Sequence, residues 1–447
     1  MRLAAATVAA TAFLCACNAA SSGESPDPPV AIRAQMRAAV SSGKIQHVVI
    51  IVQENRSFNN LFLGYPGAKT RNYGYDTNGD KIELEPTALE VSYDIDHSSN
   101  AFFSACDGTG SIRGTDCKMD GFNKELVNCG SRCPIPHPQY AFVPRSEAKP
   151  YWDMAHEWVL ADQMYASNFD ASSFTSHQYI ISGQAESSVN YPGGAWGCPG
   201  GPGDKISEVG PQRQVPYGSE VVCWDPQTLG DELDGRGDSW AFYGEMYSGA
   251  PYYWVAYQAI KHVYDGPDWS KDVISPPKQI LTDVAKGNLR AVSWVTPSWG
   301  NSDHPGSDSN TGPSWVASVV NAIGESKYWG STAIFVFWDD YGGWYDPEAP
   351  AYADYDGLGF RLPMLVISPY AKQGYVSHRH YEHGSILKFV EDTFGLGRLA
   401  ASDKRANSPA NCFDFTKPPH AFVPIRSPYD RAYFLRQPFD KHVLDDE

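Results

Sequence analysis

The sequence predicts an α/β protein built on a largely parallel central sheet with helices on both faces. Three observations carry this. Residues 48–52, Val-Val-Ile-Ile-Val, form a continuous apolar β-branched run, as a strand buried on both faces requires. Strand-like and helix-like segments then alternate along the chain. The residues directly after the strand-like runs are strongly polar, and in open α/β sheets ligands gather outside the carboxyl ends of the strands.

Residues 159–165 give a second strand candidate. Residues 239–243 follow a short helix-like segment at 228–233, and residues 289–295 follow another at 277–286. Residues 314–326 read as a helix, 333–337 and 364–367 as strands, and 383–394 as an amphipathic helix. Long loops rich in Gly, Pro and Trp interrupt this alternation at 66–145, 184–226 and 341–362. Asp76-Thr77-Asn78-Gly79-Asp80 resembles the start of a calcium loop, but Lys81 stands where the glycine belongs and no Glu closes the loop. An Asn-Gly hairpin joining 73–75 to 81–84 is the better reading.

Composition narrows the function classes. The chain has 447 residues, 35 Lys+Arg against 52 Asp+Glu, and a net charge of −17. With no long basic run, that balance excludes a general nucleic-acid or anionic-membrane binder. A hydrophobic content of 42% with 19% charged residues marks a folded globular chain. Aromatic residues at 13% favour a cleft that grips something.

The amino terminus suggests export. Residues 3–16 are an unbroken small and apolar run behind Arg2, too short to span a bilayer and fitting a secretory signal. Leu14-Cys15-Ala16-Cys17 resembles the cleavage box of bacterial lipoproteins, which implies lipid attachment at Cys17; an ordinary cleaved signal is the alternative. The expected organisation is a signal peptide at 1–16, a tether at 17–43, one domain at 44–430 and a tail at 431–447. Of nine cysteines, Cys106, Cys117, Cys129, Cys133, Cys198 and Cys223 lie in loop-like sequence at separations that allow local bridges, and Cys412 is left over. An oxidising compartment makes disulfides the default.

The strand ends supply the chemistry. Glu54, Asn55, Asp339 and Asp340 are hard oxygen donors from two separate strand ends and, converged, would suit one divalent cation such as Mg, Ca, Mn or Zn. Without a cation such a cluster would repel itself and take up protons. Ser173 opens a probable helix, where free backbone amides and the positive dipole end suit an anionic phosphate. Its hydroxyl beside a metal would be a nucleophile; a mere helix cap is the competing reading. His97, His304 and the group His378, His380 and His383 sit at element ends, where imidazoles can contact phosphate oxygens or protonate a leaving group. No Gly-x-Ser-x-Gly elbow, Walker loop, dinucleotide fingerprint or HExxH is present.

These motifs resemble a bacterial phosphoesterase family that joins phosphocholine-preferring phospholipases C with a respiratory-burst-inhibiting acid phosphatase. The matching stretches are Glu54-Asn55-Arg56-Ser57-Phe58, Asp96-His97-Ser98, Met119-Asp120-Gly121-Phe122, Ser173-Phe174 with Ser182-Gly183, Asp303-His304-Pro305, Trp338-Asp339-Asp340-Tyr341-Gly342-Gly343 and Glu382-His383-Gly384-Ser385. They run in order over roughly residues 44–400. The resemblance implies an alkaline-phosphatase-like three-layer α/β/α sandwich with long loop insertions. It implies a metal held by Glu54, Asn55, Ser173, Asp339 and Asp340, with Ser173 as nucleophile and His97, His304 and His383 near the phosphate. The mechanism implied passes through a phosphoserine that water then hydrolyses.

The chain also departs from the family. Asn59 stands where the family usually has Asp, and Asp346-Pro347 where phospholipase relatives tend to have Asp-His. The chain ends soon after the last motif, without the C-terminal β-domains of the long phospholipases. The expectation is an exported, acid-phosphatase-like phosphoric-ester hydrolase with a small phosphate-ester substrate. The alternatives are a phospholipase C and, from another class, a non-enzymatic surface lipoprotein that binds through its aromatic loops. Membrane contact is expected only through a lipid anchor or a phospholipid substrate.

Overall fold

The computed structural model describes residues 43–130, 133–193, 197–246 and 253–442. The signal peptide, almost all of the tether and the lipidation candidate Cys17 therefore lie outside the described residues. A nine-stranded sheet forms the centre. Its strands are β1 (His47–Gln53), β2 (Val159–Tyr165), β3 (Trp240–Tyr243), β4 (Val273–Ile274), β5 (Val292–Val295), β6 (Thr332–Trp338), β7 (Arg361–Ile367), β8 (Tyr375–Ser377) and β9 (Tyr381–Glu382). The spatial order is β4-β3-β5-β1-β6-β7-β2-β8, with β9 also pairing with β2.

All pairings but two are parallel; β7 runs antiparallel to both β6 and β2. The apolar runs predicted as strands at 48–52, 159–165 and 333–337 all fall in the interior of this sheet. In β1 the five residues Val48, Val49, Ile50, Ile51 and Val52 are fully buried, as a strand covered on both faces must be.

The helices around the sheet include α1 (Phe58–Phe62), α2 (Ser99–Cys106), α3 (Lys149–Glu157), α4 (Ser173–Ser182), α5 (Leu229–Arg236), α6 (Gln279–Lys286), α7 (Gly312–Gly324) and α8 (His383–Phe394). They cover both faces. Side chains of β6 alternate, so Phe335 meets Phe389 of α8 with ring centroids 4.9 Å apart, while Trp338 meets Tyr151 of α3 at 4.9 Å on the opposite face. Helix α4 packs beside α8, and its Ile180 carbonyl accepts the indole N–H of Trp294 in β5 at 3.3 Å. Helix α7 packs with α3 and α6. The three-layer arrangement expected from the alternation is thus present.

The loop insertions hold structure of their own. The Asn-Gly hairpin pairs Tyr73 with Glu83 and Tyr75 with Lys81, with Gly79 at φ 86° in the turn. Cys106–Cys117, Cys129–Cys133 and Cys198–Cys223 are disulfides, and Cys412 is free and buried. Beyond residue 430, a short helix (Arg431–Arg436) seats the fully buried Phe434 on Trp315 of α7 at 5.4 Å.

Phe335→Ala would leave a void between β6 and α8. It should lower unfolding free energy by about 3–5 kcal/mol, read as a drop in the urea midpoint with an unchanged slope.

Candidate active site

In-register pairing creates the site. Strands β1 and β6 run parallel with Gln53 opposite Trp338, so the next residues, Glu54 and Asp339, emerge side by side one strand spacing apart, about 4.8 Å. Both are fully buried. Asn55 follows in the left-handed region at φ 55° and donates its backbone N–H to Asp339 Oδ1 at 3.1 Å. That backbone is tight. A Cβ on Gly342 would stand 2.2 Å from the Asn55 carbonyl oxygen, and one on Gly343 would stand 2.3 Å from Ile95. Only glycines let the loop after β6 pass so close.

Helix α4 brings the hydroxyl. Ser172 caps it, accepting the Thr175 N–H, and Ser173 is its first residue. Ser173 Oγ donates to Glu54 Oε2 at 3.3 Å. One turn on, on the same helix face, His177 Nε2 lies 3.0 Å from Glu54 Oε1 and 3.8 Å from Asp339 Oδ2. Burial first, then the Glu54 charge, pushes the Asp339 carboxyl well above its usual range, and His177 offsets part of that.

His97 completes the group on the other side. Its Nδ1 lies 2.7 Å from the Ile95 carbonyl, and its Nε2 lies 2.8 Å from Asn55 Nδ2. The amide can only donate there, so the ring is the neutral Nδ1–H tautomer. Asp340 accepts the Gly342 N–H at 2.7 Å and places Oδ2 3.9 Å from His97 Nε2. His304 packs 6.2 Å from the His97 ring and 4.6 Å from Trp299.

The structure therefore gathers Glu54, Asn55, His97, Ser173, His304, Asp339 and Asp340 around the ends of β1 and β6. His383 lies beside them. Its ring packs against Phe337 at 5.6 Å, meets the backbone of Trp338 and Asp339 and faces His177, and burial pushes its pKa down to about 3. His378 bonds Asp162, and His380 stacks on Tyr165 at 5.5 Å; they belong to the edge of the sheet near β8 and β9.

A second layer fixes these groups. Arg56, fully buried, donates to the Asp303 carbonyl at 2.7 Å and the Leu89 carbonyl at 2.9 Å, and its guanidinium stacks on Trp344 at 4.7 Å. Asp303 accepts from Tyr151 Oη at 2.8 Å and Trp338 Nε1 at 3.0 Å; burial lifts its pKa to about 6. Asn59, the departure noted in the sequence, clips the chain locally: its side chain bonds the Arg71 N–H and carbonyl, each at 3.0 Å, and its N–H bonds Asp346.

The donor set fits a divalent cation. Oδ2 of Asp339 and Oδ1 of Asn55 are buried acceptors with no hydrogen-bond partner among the described residues, a costly state unless something positive meets them. Glu54, His177 and Asp339 each offer an atom within 4.8 Å of the others. Reading the sequence for oxygen donors overlooked His177. The available signal was its position four residues after Ser173 on the same helix.

The sequence model of the Phosphoesterase family matches residues 45–397. The chain belongs to this family. Similar proteins include a non-hemolytic phospholipase C of Burkholderia pseudomallei, 26% identical over 78% of this chain and 55% of that protein. Others are the non-specific phospholipase C1 of Arabidopsis thaliana, 25% identical over 79% of this chain and 68% of that protein, and phospholipase C B of Mycobacterium tuberculosis, 24% identical over 85% and 80%. The chain spans about half the length of the Burkholderia relative. Solved structures similar to this phosphoesterase include a Pseudoalteromonas sulfatase, with TM-score 0.41 and 10% identity over 87% of this chain and 76% of that one. A Vibrio parahaemolyticus protein of the alkaline phosphatase superfamily has TM-score 0.35 and 11% identity over 87% and 78%.

Asp339→Asn and His177→Ala should each weaken divalent-metal affinity by more than about tenfold, measured as metal content after dialysis against graded chelator. Unchanged content in both would remove the metal from this site. Gly342→Ala should cost about 1–3 kcal/mol of stability, seen as a lower thermal midpoint.

Proposed function

We propose that this phosphoesterase is a metal-dependent hydrolase of phosphoric esters that works through Ser173. The observation that carries this reading is the Ser173 hydroxyl, 3.3 Å from Glu54, at a helix N-terminus and beside a buried carboxylate pair. Ser173 Oγ attacks phosphorus, its proton passing to the carboxylate it already bonds. The Oγ–P bond forms as the ester P–O bond breaks, and the amino end of α4 favours the anionic phosphoryl group. A divalent cation would be held by Glu54, Asn55, Asp339 and Asp340, with His177, and would supply positive charge that eases ionisation of the serine hydroxyl and offsets the developing phosphoryl charge. His97, its Nδ1–H held by the Ile95 carbonyl, positions the Asn55 side chain, while His304 flanks the phosphate as a hydrogen-bonding group and proton source for the departing oxygen. Water then cleaves the phosphoserine and releases phosphate.

Within this class we favour a phosphatase-like enzyme acting on small monoesters. Pro347 follows Asp346 where the resembled phospholipases tend to carry a histidine. The Asp346 carboxylate is committed to Arg361 at 2.9 Å and to the Asn59 N–H at 3.0 Å. A phospholipase C is the second reading, favoured by the relatives of that name. Export also remains part of the proposal. Three loop disulfides suit an oxidising space, and among the described residues no helix is long and apolar enough to cross a membrane.

Hydrolysis of p-nitrophenyl phosphate and p-nitrophenyl phosphorylcholine, with and without chelator, tests the reading. Chelator-sensitive turnover of the first alone supports the phosphatase, and turnover of the second supports the phospholipase. Turnover of neither, with metal bound, supports a binding module. Ser173→Ala should remove turnover, by at least about 10³-fold, with metal content retained.

A further inference from the structure

We propose that Tyr191 is a further catalytic residue, its hydroxyl donating to a phosphoryl oxygen of the ester attacked by Ser173. The proposal rests on Ser173 being the nucleophile. The backbone N–H of Ser173, at the first position of α4, has no acceptor within the helix, and it donates to Tyr191 Oη at 3.1 Å. N and Oγ of one serine are only three bonds apart. The phenol oxygen is therefore a close neighbour of the attacking serine, on its amide side. A hydroxyl both accepts and donates, and accepting the amide proton strengthens its own O–H as a donor.

The placement of Tyr191 is built, not incidental. The preceding residue, Asn190, is held in the left-handed region at φ 63°. Its backbone N–H donates to Asp170 Oδ2 at 2.8 Å, and its carbonyl accepts from Ser172 Oγ at 2.9 Å. Its side-chain Oδ1 accepts the Ser99 N–H at 3.1 Å. Three bonds therefore staple this loop to the segment that opens α4 and to the start of α2. Asparagine adopts this region at little cost, and the three bonds select it here. The Tyr191 ring is further fixed against Tyr253, with centroids 5.2 Å apart. Ser173 is fully buried and Tyr191 half-buried, which sets the tyrosine a step nearer solvent.

Tyr191→Phe removes one oxygen and keeps the ring. In the full-length, metal-loaded enzyme, kcat on whichever p-nitrophenyl ester the wild type turns over should fall about 10²-fold. Inhibition by orthovanadate should weaken by a similar factor, while metal content stays at the wild-type level. A kcat and vanadate inhibition within about twofold of wild type overturn the proposal. Should the variant lose thermal stability, 3,5-difluorotyrosine at position 191 decides. It keeps ring and hydroxyl but ionises at lower pH, so a donor role moves the alkaline limb of the rate profile down, and an unmoved limb overturns the proposal. An active Ser173→Ala overturns the nucleophile and the tyrosine together. An inert Ser173→Ala beside a wild-type-like Tyr191→Phe overturns only the tyrosine.

Discussion

Two carboxylates forced together by strand register are the constraint from which the rest of the site follows. Strands β1 and β6 pair in register over their whole length, so Glu54 and Asp339 cannot separate without breaking the ladder. A slip of one residue would turn every side chain of β1 to the other face. Two buried acids so placed repel each other, and burial first, then that repulsion, push the Asp339 carboxyl well above its usual range. His177 and the Ser173 hydroxyl both point at Glu54, so the protein meets the repulsion with a hydrogen-bond donor and a base that can carry charge. Such a pair is a poor stability device, and its persistence makes sense as a cation seat.

The surrounding groups hold that geometry rather than add to its charge. Arg56 is the buried cation nearest the Asp303 layer. It is spent on two backbone carbonyls, the Asn60 side-chain oxygen and an aromatic face, and burial lowers its pKa to about 10. Asp303 is matched by two neutral donors, Tyr151 and Trp338. The Trp338 bond ties the loop bearing His304 to the last residue of β6, directly before Asp339. Loop and strand end therefore move together, which is what a site that must hold angstrom tolerances requires.

Much of this was legible in the sequence, and the missing parts have physical reasons. The β-branched run at 48–52 and the polar residues after it identified β1 and its working end, because burial on both faces leaves an unbroken apolar run. The same signature misleads about direction. Residues 361–367 are equally buried, yet β7 is antiparallel, and nothing in a doubly buried strand's composition encodes its sense. Helix α2 was absorbed into the long loop at 66–145, since eight residues between cysteine- and glycine-rich stretches give little period to read. His177 becomes visible only once Ser173 is fixed on a helix face. Tyr191 was beyond reach, because its meeting with the Ser173 amide depends on the turn at Asn190 and on partners at Ser99 and Asp170.

Helix α4 shows how function overrides the ordinary helix pattern. All ten of its residues are buried, though six of them are Ser, Thr, His or Gln. A buried helix is normally apolar all round, and each polar group here would cost stability if left without a partner. The partners are specific. Ser173 and His177 bond Glu54, Ser176 bonds Asn168 at 3.4 Å, Gln178 donates to the Ala256 carbonyl at 3.1 Å, and the Ser182 hydroxyl bonds its own helix at the Gln178 carbonyl at 2.9 Å. Only Phe174, Ile180 and Ile181 do conventional packing. Exchanging the polar face for leucine and alanine would make a better core helix, and it would erase the hydroxyl and the imidazole. The sequence of α4 is thus explained by the carboxylates it must meet, and those carboxylates by the strand register that put them side by side.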